Sequence, residues 1–158
     1  MKPEIHEVFM KRALVLAREA CASGEIPVGA VIVMGEEIIA EGKNSGRCSA
    51  NPVRHAEINA VENACAAIKN ERLTGASLYV TKEPCVMCAG ALIHSRILKV
   101  FIGTRDSKYG ACGTVFDILG NKRFNHVPEI IFGVLEDECG SVLREFFRNI
   151  RENRKERC

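Results

Sequence analysis

The sequence predicts an α/β fold, a five-stranded mixed sheet lying between helices, and three observations carry the prediction. The hydrophobic period switches repeatedly between helix-like and strand-like spacing along the 158 residues. Two strand-like runs are joined too tightly for anything but antiparallel neighbours, while two others flank a helix-like run and call for parallel pairing. No Pro/Gly/Ser-rich linker, internal repeat or low-complexity tract divides the chain, so residues 1–158 are expected to form one domain.

Phe9, Ala13, Leu16, Ala17, Ala20 and Cys21 fall three and four apart, which predicts an amphipathic helix over about residues 4–23, ended by Ser23-Gly24. Val28–Val33 and Glu37–Glu41 are β-branched or apolar runs joined through Met34-Gly35-Glu36, an expected hairpin. Asn51-Pro52 supplies a helix cap and a first-turn proline, predicting a helix over 53–69 with His55 in its first turn. Leu78–Thr81 reads as a buried strand, 84–94 as a helix, Lys99–Gly103 and Glu129–Gly133 as strands. Val142, Leu143, Phe146, Phe147 and Ile150 recur at helical spacing, so a closing helix is expected over 136–155.

Composition narrows the function classes. With 47% hydrophobic and 27% charged residues, the chain can bury a core and is no disordered segment. A net charge of +2 excludes wholesale coating of nucleic acid, so any such partner must meet a local basic patch. Eight cysteines suffice for a disulfide framework, but Met1–Glu7 shows neither an apolar leader core nor a cleavage signal, and the cytosol is the expected compartment. The longest apolar stretch, Ile26–Met34, contains Pro27 and Gly29 and is too short to span a bilayer. Cys21, Cys48, Cys65, Cys112, Cys139 and Cys158 read as small hydrophobes or surface thiols.

The chemistry concentrates in His55-Ala56-Glu57 and Pro84-Cys85-Val86-Met87-Cys88. One imidazole and two thiolates suit zinc and leave a fourth tetrahedral position for water. Pro84 as a first helical residue would put Cys85 and Cys88 on one helix face, near a positive dipole end that favours thiolates. Two thiolates nearly cancel the charge of Zn²⁺, so a neighbouring base becomes useful, and Glu57 would serve as the proton shuttle. One difficulty is geometric: residues two apart on a regular helix face apart, so Glu57 must reach back towards the pocket. Taken alone, H-x-E is ordinarily a pair of unrelated surface groups, and C-x-x-C fits a redox motif or half of a structural zinc site. A structural site needs a fourth ligand, which Cys65, His94 or Cys112 could supply, but none stands in paired spacing.

The combined order H-x-E…P-C-x-x-C is the signature of zinc-dependent nucleobase deaminases. With Gly24-Glu25-Ile26-Pro27-Val28-Gly29-Ala30, Glu41-Gly42-Lys43-Asn44, Ile93-His94-Ser95-Arg96, Phe124-Asn125-His126 and Glu145-Phe146-Phe147-Arg148, nearly the whole chain resembles the bacterial tRNA-specific adenosine deaminases. That resemblance implies a three-layer α/β/α sandwich, a homodimer, and deamination of adenosine to inosine at the wobble position of a tRNA anticodon stem-loop. It also implies that Asn44 hydrogen-bonds the flipped base, that Val28 lines the pocket, that backbone groups of Ala30 or Glu83 serve base or water, and that Arg105-Asp106 belong to a substrate loop.

Phe146, Phe147 and Arg148 resemble the family's RNA-contacting segment. Plainer roles stand beside these: a hairpin-end turn for Asn44, a solvated ion pair for Arg105-Asp106, and a buried helix stripe for the two phenylalanines. Arg144, Arg148, Arg151 and Lys155 form a basic stripe that suits phosphates, diluted by Glu145, Glu152 and Glu156. Val53-Arg54 departs from the small or polar residues usual in the family before the histidine. Two other functions compete: deamination of a free base, nucleoside or nucleotide, which has no use for the basic helix, and a zinc-stabilised RNA-binding module, which has no use for Glu57.

Overall fold

The computed structural model describes residues 3–155. Nine elements follow in order: α1 (Pro3–Ala22), β1 (Gly29–Met34), β2 (Glu37–Lys43), α2 (Ala56–Ile68), β3 (Ser77–Lys82), α3 (Val86–His94), β4 (Lys99–Thr104), β5 (Glu129–Phe132) and α4 (Glu136–Lys155). Glu156 and Cys158, and the side chain of Lys155, lie outside the described residues.

The strands form one sheet in the order β2-β1-β3-β4-β5. The short Gly35-Glu36 connection makes β1 and β2 antiparallel, and β1 also pairs antiparallel with β3, Ala30 facing Val80. The β3–α3–β4 crossover makes β3 and β4 parallel, and β5 continues in the same sense. The mixed sheet inferred from the sequence is therefore present.

Side-chain alternation builds the layers. Ala30, Ile32, Leu78, Val80, Val100 and Ile102 point to one face and pack with Ala56, Ala60 and Ala64 of α2 and with Ala89 and Leu92 of α3. Val31, Val33, Tyr79 and Phe101 point to the other, against Phe9, Met10, Ala13 and Leu16 of α1 and Cys139 of α4. Tyr79 and Phe101 stack at 4.4 Å between centroids, His6 stacks on Phe101 at 4.4 Å, and its Nδ1 is 2.8 Å from the Tyr79 hydroxyl. The result is an α/β/α sandwich, α1 and α4 on one face, α2 and α3 on the other. No helix among the described residues is long and apolar enough to cross a membrane.

Two helix starts differ from expectation, and both matter for the site. The second helix begins at Ala56 and not at 53, and the third at Val86 and not at Pro84. Asn51 does not cap a helix: its Oδ1 accepts the Val53 N–H at 3.1 Å inside a run of turns. The cap comes instead from Asn44, whose Oδ1 accepts the Ala56 N–H at 2.9 Å. Pro84 stays outside its helix because its carbonyl accepts the Ala111 N–H at 2.9 Å, holding the chain extended into Cys85.

Candidate active site

His55 and Cys85 occupy equivalent places, each the N-cap residue of its helix with extended backbone (φ −78°, ψ 156° and φ −78°, ψ 178°). Neither uses its side chain as a cap, so imidazole and thiol are free for other work. An extended His55 followed by a helical Glu57 also removes the difficulty of two residues on one helix facing apart. Glu57 and Cys88 both lie in first turns and both are buried.

His55, Cys85 and Cys88 converge. Cys85 Sγ is 3.7 Å from Cys88 Sγ and 3.7 Å from His55 Nδ1, and Cys88 Sγ is 3.5 Å from the same nitrogen. A tetrahedral zinc with Zn–S of about 2.3 Å and Zn–N of about 2.05 Å requires roughly 3.8 Å between sulfurs and roughly 3.5 Å from sulfur to nitrogen. The donors stand at those separations and fit the ion. Among the described residues no fourth His, Cys, Asp or Glu joins the group, and Cys65, His94 and Cys112 are not in it.

The local field favours the ligand form at Cys85 and opposes it at Cys88 and His55. The hydrogen bond with Cys88, then that with His55, pulls the Cys85 thiol down to about 4, while the Cys85 neighbour and burial drive Cys88 upward. The same bond from Cys85 raises His55. Burial pushes the Glu57 carboxyl up from its ordinary value, the direction that favours a carboxyl able to hold a proton.

Residues 3–104 match the family described as the cytidine and deoxycytidylate deaminase zinc-binding region. The tRNA-specific adenosine deaminase of Bacillus subtilis is 46% identical over 149 residues, 94% of this chain and 92% of the relative. That of Haemophilus influenzae is 46% identical over 156 residues, 98% and 90% of the two chains. The chain belongs to the tRNA-specific adenosine deaminases. A solved structure from work on A-to-I editing by tRNA:A34 deaminases at the wobble position of transfer RNA superposes with a TM-score of 0.83 at 40% identity, covering 85% of this chain and 98% of the other.

The remaining residues of this deaminase sort unequally. Asn44 leaves the end of β2 and ties three segments together, its Nδ2 donating to Ile26 O at 3.1 Å while Oδ1 caps α2. It is a structural link and not a free hairpin-end residue. Val28 and Ala30 are buried at the start of β1. Arg105 and Asp106 do not form a solvated pair: Arg105 donates to Thr114 Oγ1 at 3.1 Å and lies 3.9 Å over the Phe132 ring. Asp106 is buried, 2.6 Å from Lys82 Nζ.

The two phenylalanines part company, Phe146 in the core and Phe147 40% exposed, with Arg148 exposed beside it. They stand on α4, across the sheet from α2 and α3, and the structure does not bring them into the donor cluster. Arg54 turns onto α2, paired with Glu62 and 3.3 Å from Asn59 Oδ1. Sequence reasoning missed the side chain of Glu83, 2% exposed, between the end of β3 and Cys85.

Proposed function

We propose that this deaminase hydrolyses adenosine to inosine at the wobble position of a tRNA anticodon, water entering at the purine carbon and ammonia leaving. The observation that carries the substrate is the similarity of nearly the entire chain to tRNA-specific relatives, 98% of it in the Haemophilus influenzae case. The observation that carries the chemistry is the donor triangle with a buried carboxylate beside it.

His55, Cys85 and Cys88 would hold zinc, which when bound supplies a Lewis acid that activates water at neutral pH. Glu57 takes the proton from the attacking water and delivers it to the ring nitrogen next to the reacting carbon. It then takes the proton of the hydroxyl now on that carbon and gives it to the departing amine as the carbon–nitrogen bond breaks, so the carboxyl ends the turnover in the form in which it began. Asn44 keeps one Nδ2 hydrogen and one Oδ1 lone pair beyond its two internal bonds, and these are offered to the flipped base. Val28 forms the pocket wall, and the Ala30 backbone stands behind it. Phe147 and Arg148 meet the stem-loop from α4, Phe147 by stacking and Arg148 on phosphate. A cytoplasmic location and a homodimer are part of the same reading, and light scattering of the purified protein at the monomer mass would refute the dimer.

The deciding assay offers zinc-loaded protein an anticodon stem-loop with adenosine at the wobble position and, in parallel, free adenosine, cytidine and guanine, with inosine and ammonia as readouts. Turnover of the stem-loop is expected. Turnover of the free compounds alone overturns the tRNA reading.

A further inference from the structure

Four consecutive residues leaving β3 each do something different. Lys82 Nζ sits 2.6 Å from Asp106 Oδ2. The Glu83 carboxyl group accepts three backbone N–H groups: Oε2 from Asp106 at 3.0 Å, and Oε1 from Cys112 at 3.0 Å and Thr114 at 3.2 Å. Pro84 O accepts the Ala111 N–H, and Cys85 is a metal donor. The segment 106–114 is neither helix nor strand, yet Lys82, Glu83 and Pro84 all reach it. Asp106 adds its own turn, Oδ1 accepting the Lys108 and Tyr109 N–H groups at 2.9 and 3.2 Å.

Buried carboxylates are costly unless fully hydrogen-bonded, and an irregular loop has no ladder of its own to satisfy its amides. One side chain meets both needs here. Gly110 shows how close the fit is, since a Cβ there would stand 2.5 Å from the Glu83 carboxyl carbon and 2.6 Å from Asp106 O. The loop carries Tyr109 outward, 66% exposed, with Arg105 just before it and Phe116, 50% exposed, just after. An exposed aromatic on this hydrogen-bonded loop, with a second aromatic and a cation flanking it, beside the candidate metal donors, forms a stacking surface for unpaired bases.

We propose that Glu83 is a positioning residue: its carboxylate fixes the 106–114 loop to the turn that leads from β3 into Pro84-Cys85, so that the loop presents a fixed surface to RNA at the metal centre. This rests on the tRNA reading for its substrate. Glu83 touches neither substrate nor metal; it acts through the loop.

The test compares wild type with Glu83→Gln, which keeps the shape but aims an amide N–H at the Asp106 N–H. It adds Gly110→Ala, which leaves Glu83 intact and forces the loop away from it. Hydrogen exchange at the amides of 106, 112 and 114 should quicken at least about tenfold in Glu83→Gln. Zinc content should stay at the wild-type level. KM for the stem-loop should rise about tenfold, the scale of one charge-assisted hydrogen bond, in both variants, with kcat changed less than about threefold.

Faster exchange with KM and kcat at wild-type values, measured well below the melting temperature, reduces Glu83 to a stabilising group and overturns the proposal. So does loss of zinc, which would place its action at the metal, and so does unchanged exchange. Exchange and zinc content need no substrate. A wild type that ignores the stem-loop therefore overturns the tRNA reading alone, whereas unchanged exchange with stem-loop turnover intact overturns this inference alone.

Discussion

Replacing Gly42 by alanine tests whether sheet–helix packing sets the donor geometry. Gly42 lies on β2 under the first turn of α2, where a Cβ would clash with Ala56 O and stand 2.5 Å from Ala60 N and 3.0 Å from Ala60 Cα. Ordinary contact begins at 3.4 Å, so the backbones must separate by about 0.9 Å at Ala60 N and by more at Ala56 O. No flexible side chain can absorb that, because Ala56, Ala60 and Ala64 present only methyl groups to the sheet and all three are fully buried. Overpacking of this kind costs about 2–3 kcal/mol, or roughly 5–10 °C in melting temperature for a chain of this size.

The same shift carries the start of α2, hence His55 and Glu57, away from Cys85 and Cys88 on α3. Metal sites tolerate about 0.2 Å in ligand distances, so a displacement several times larger should weaken zinc at least about tenfold. Circular-dichroism melts of zinc-loaded and zinc-free Gly42→Ala, with chelator competition for affinity, read both quantities. Zinc stabilises by mass action, so the gap between the two melts should narrow. A melt and an affinity equal to wild type would refute the packing argument. A lowered melt with unchanged affinity would refute the link from packing to the donors.

Glu57→Ala should retain its zinc by elemental analysis while deamination falls by about 100-fold or more, the worth of a positioned acid–base group; full activity removes Glu57 from the mechanism. Phe146→Ala should cost about 3 kcal/mol in chemical denaturation, and Phe147→Ala should stay within about 0.5 kcal/mol while raising KM for the stem-loop. Equal stability losses would contradict the assigned faces. Burial alone would raise the Asp106 carboxyl, but Lys82 and the Lys108 and Tyr109 amides hold it below its ordinary value. Its stabilising contribution is therefore full above the unfolded value of about 3.9 and fades as pH falls through the lower folded one. The melting gap between wild type and Asp106→Asn should be full near neutrality and begin to narrow only below about pH 4; a gap constant with pH would exclude the carboxylate as its source.

Element identity was legible because apolar periods record which face is buried: Ala30 and Ile32 alternate with Val31 and Val33 in sequence as they do across the sheet. Helix starts were less so. Asn51-Pro52 is a good local capping signal, but Asn44, twelve positions before Ala56, wins the helix by a bond that no local pattern encodes. The metal residues were readable from type and spacing, whereas their extended N-cap backbone was not. On α4 the apolar run is wider than one buried stripe. Cys139, Leu143 and Phe146, spaced four and three, are buried, Val142 packs partly buried against the core beside them, and Phe147 is left outside. The 106–114 loop has no period at all, and its order is stored in one glutamate more than twenty residues earlier in the chain.

Sheet topology explains why these residues meet. β3 and β4 run parallel, so Cys85 and Arg105-Asp106 emerge past the same edge. β1 runs antiparallel to β3, so its beginning, Val28 to Ala30, lies at that edge too, and β2 returns there with Gly29 facing Lys43 just before Asn44. A crevice beyond the carboxyl ends of parallel strands is where open α/β sheets bind ligands, because the helices that follow begin there with free N–H groups and positive dipole ends. In this chain α2 and α3 both begin there. Their N-cap side chains are withheld from capping, and Asn44 serves the Ala56 amide in place of His55. Thiolates and the Glu57 carboxyl, all anionic in their working forms, gather where two helix dipoles favour negative charge. The same arrangement at the amino ends of β3 and β4 would face helix carboxyl termini and would oppose every one of those ionisations.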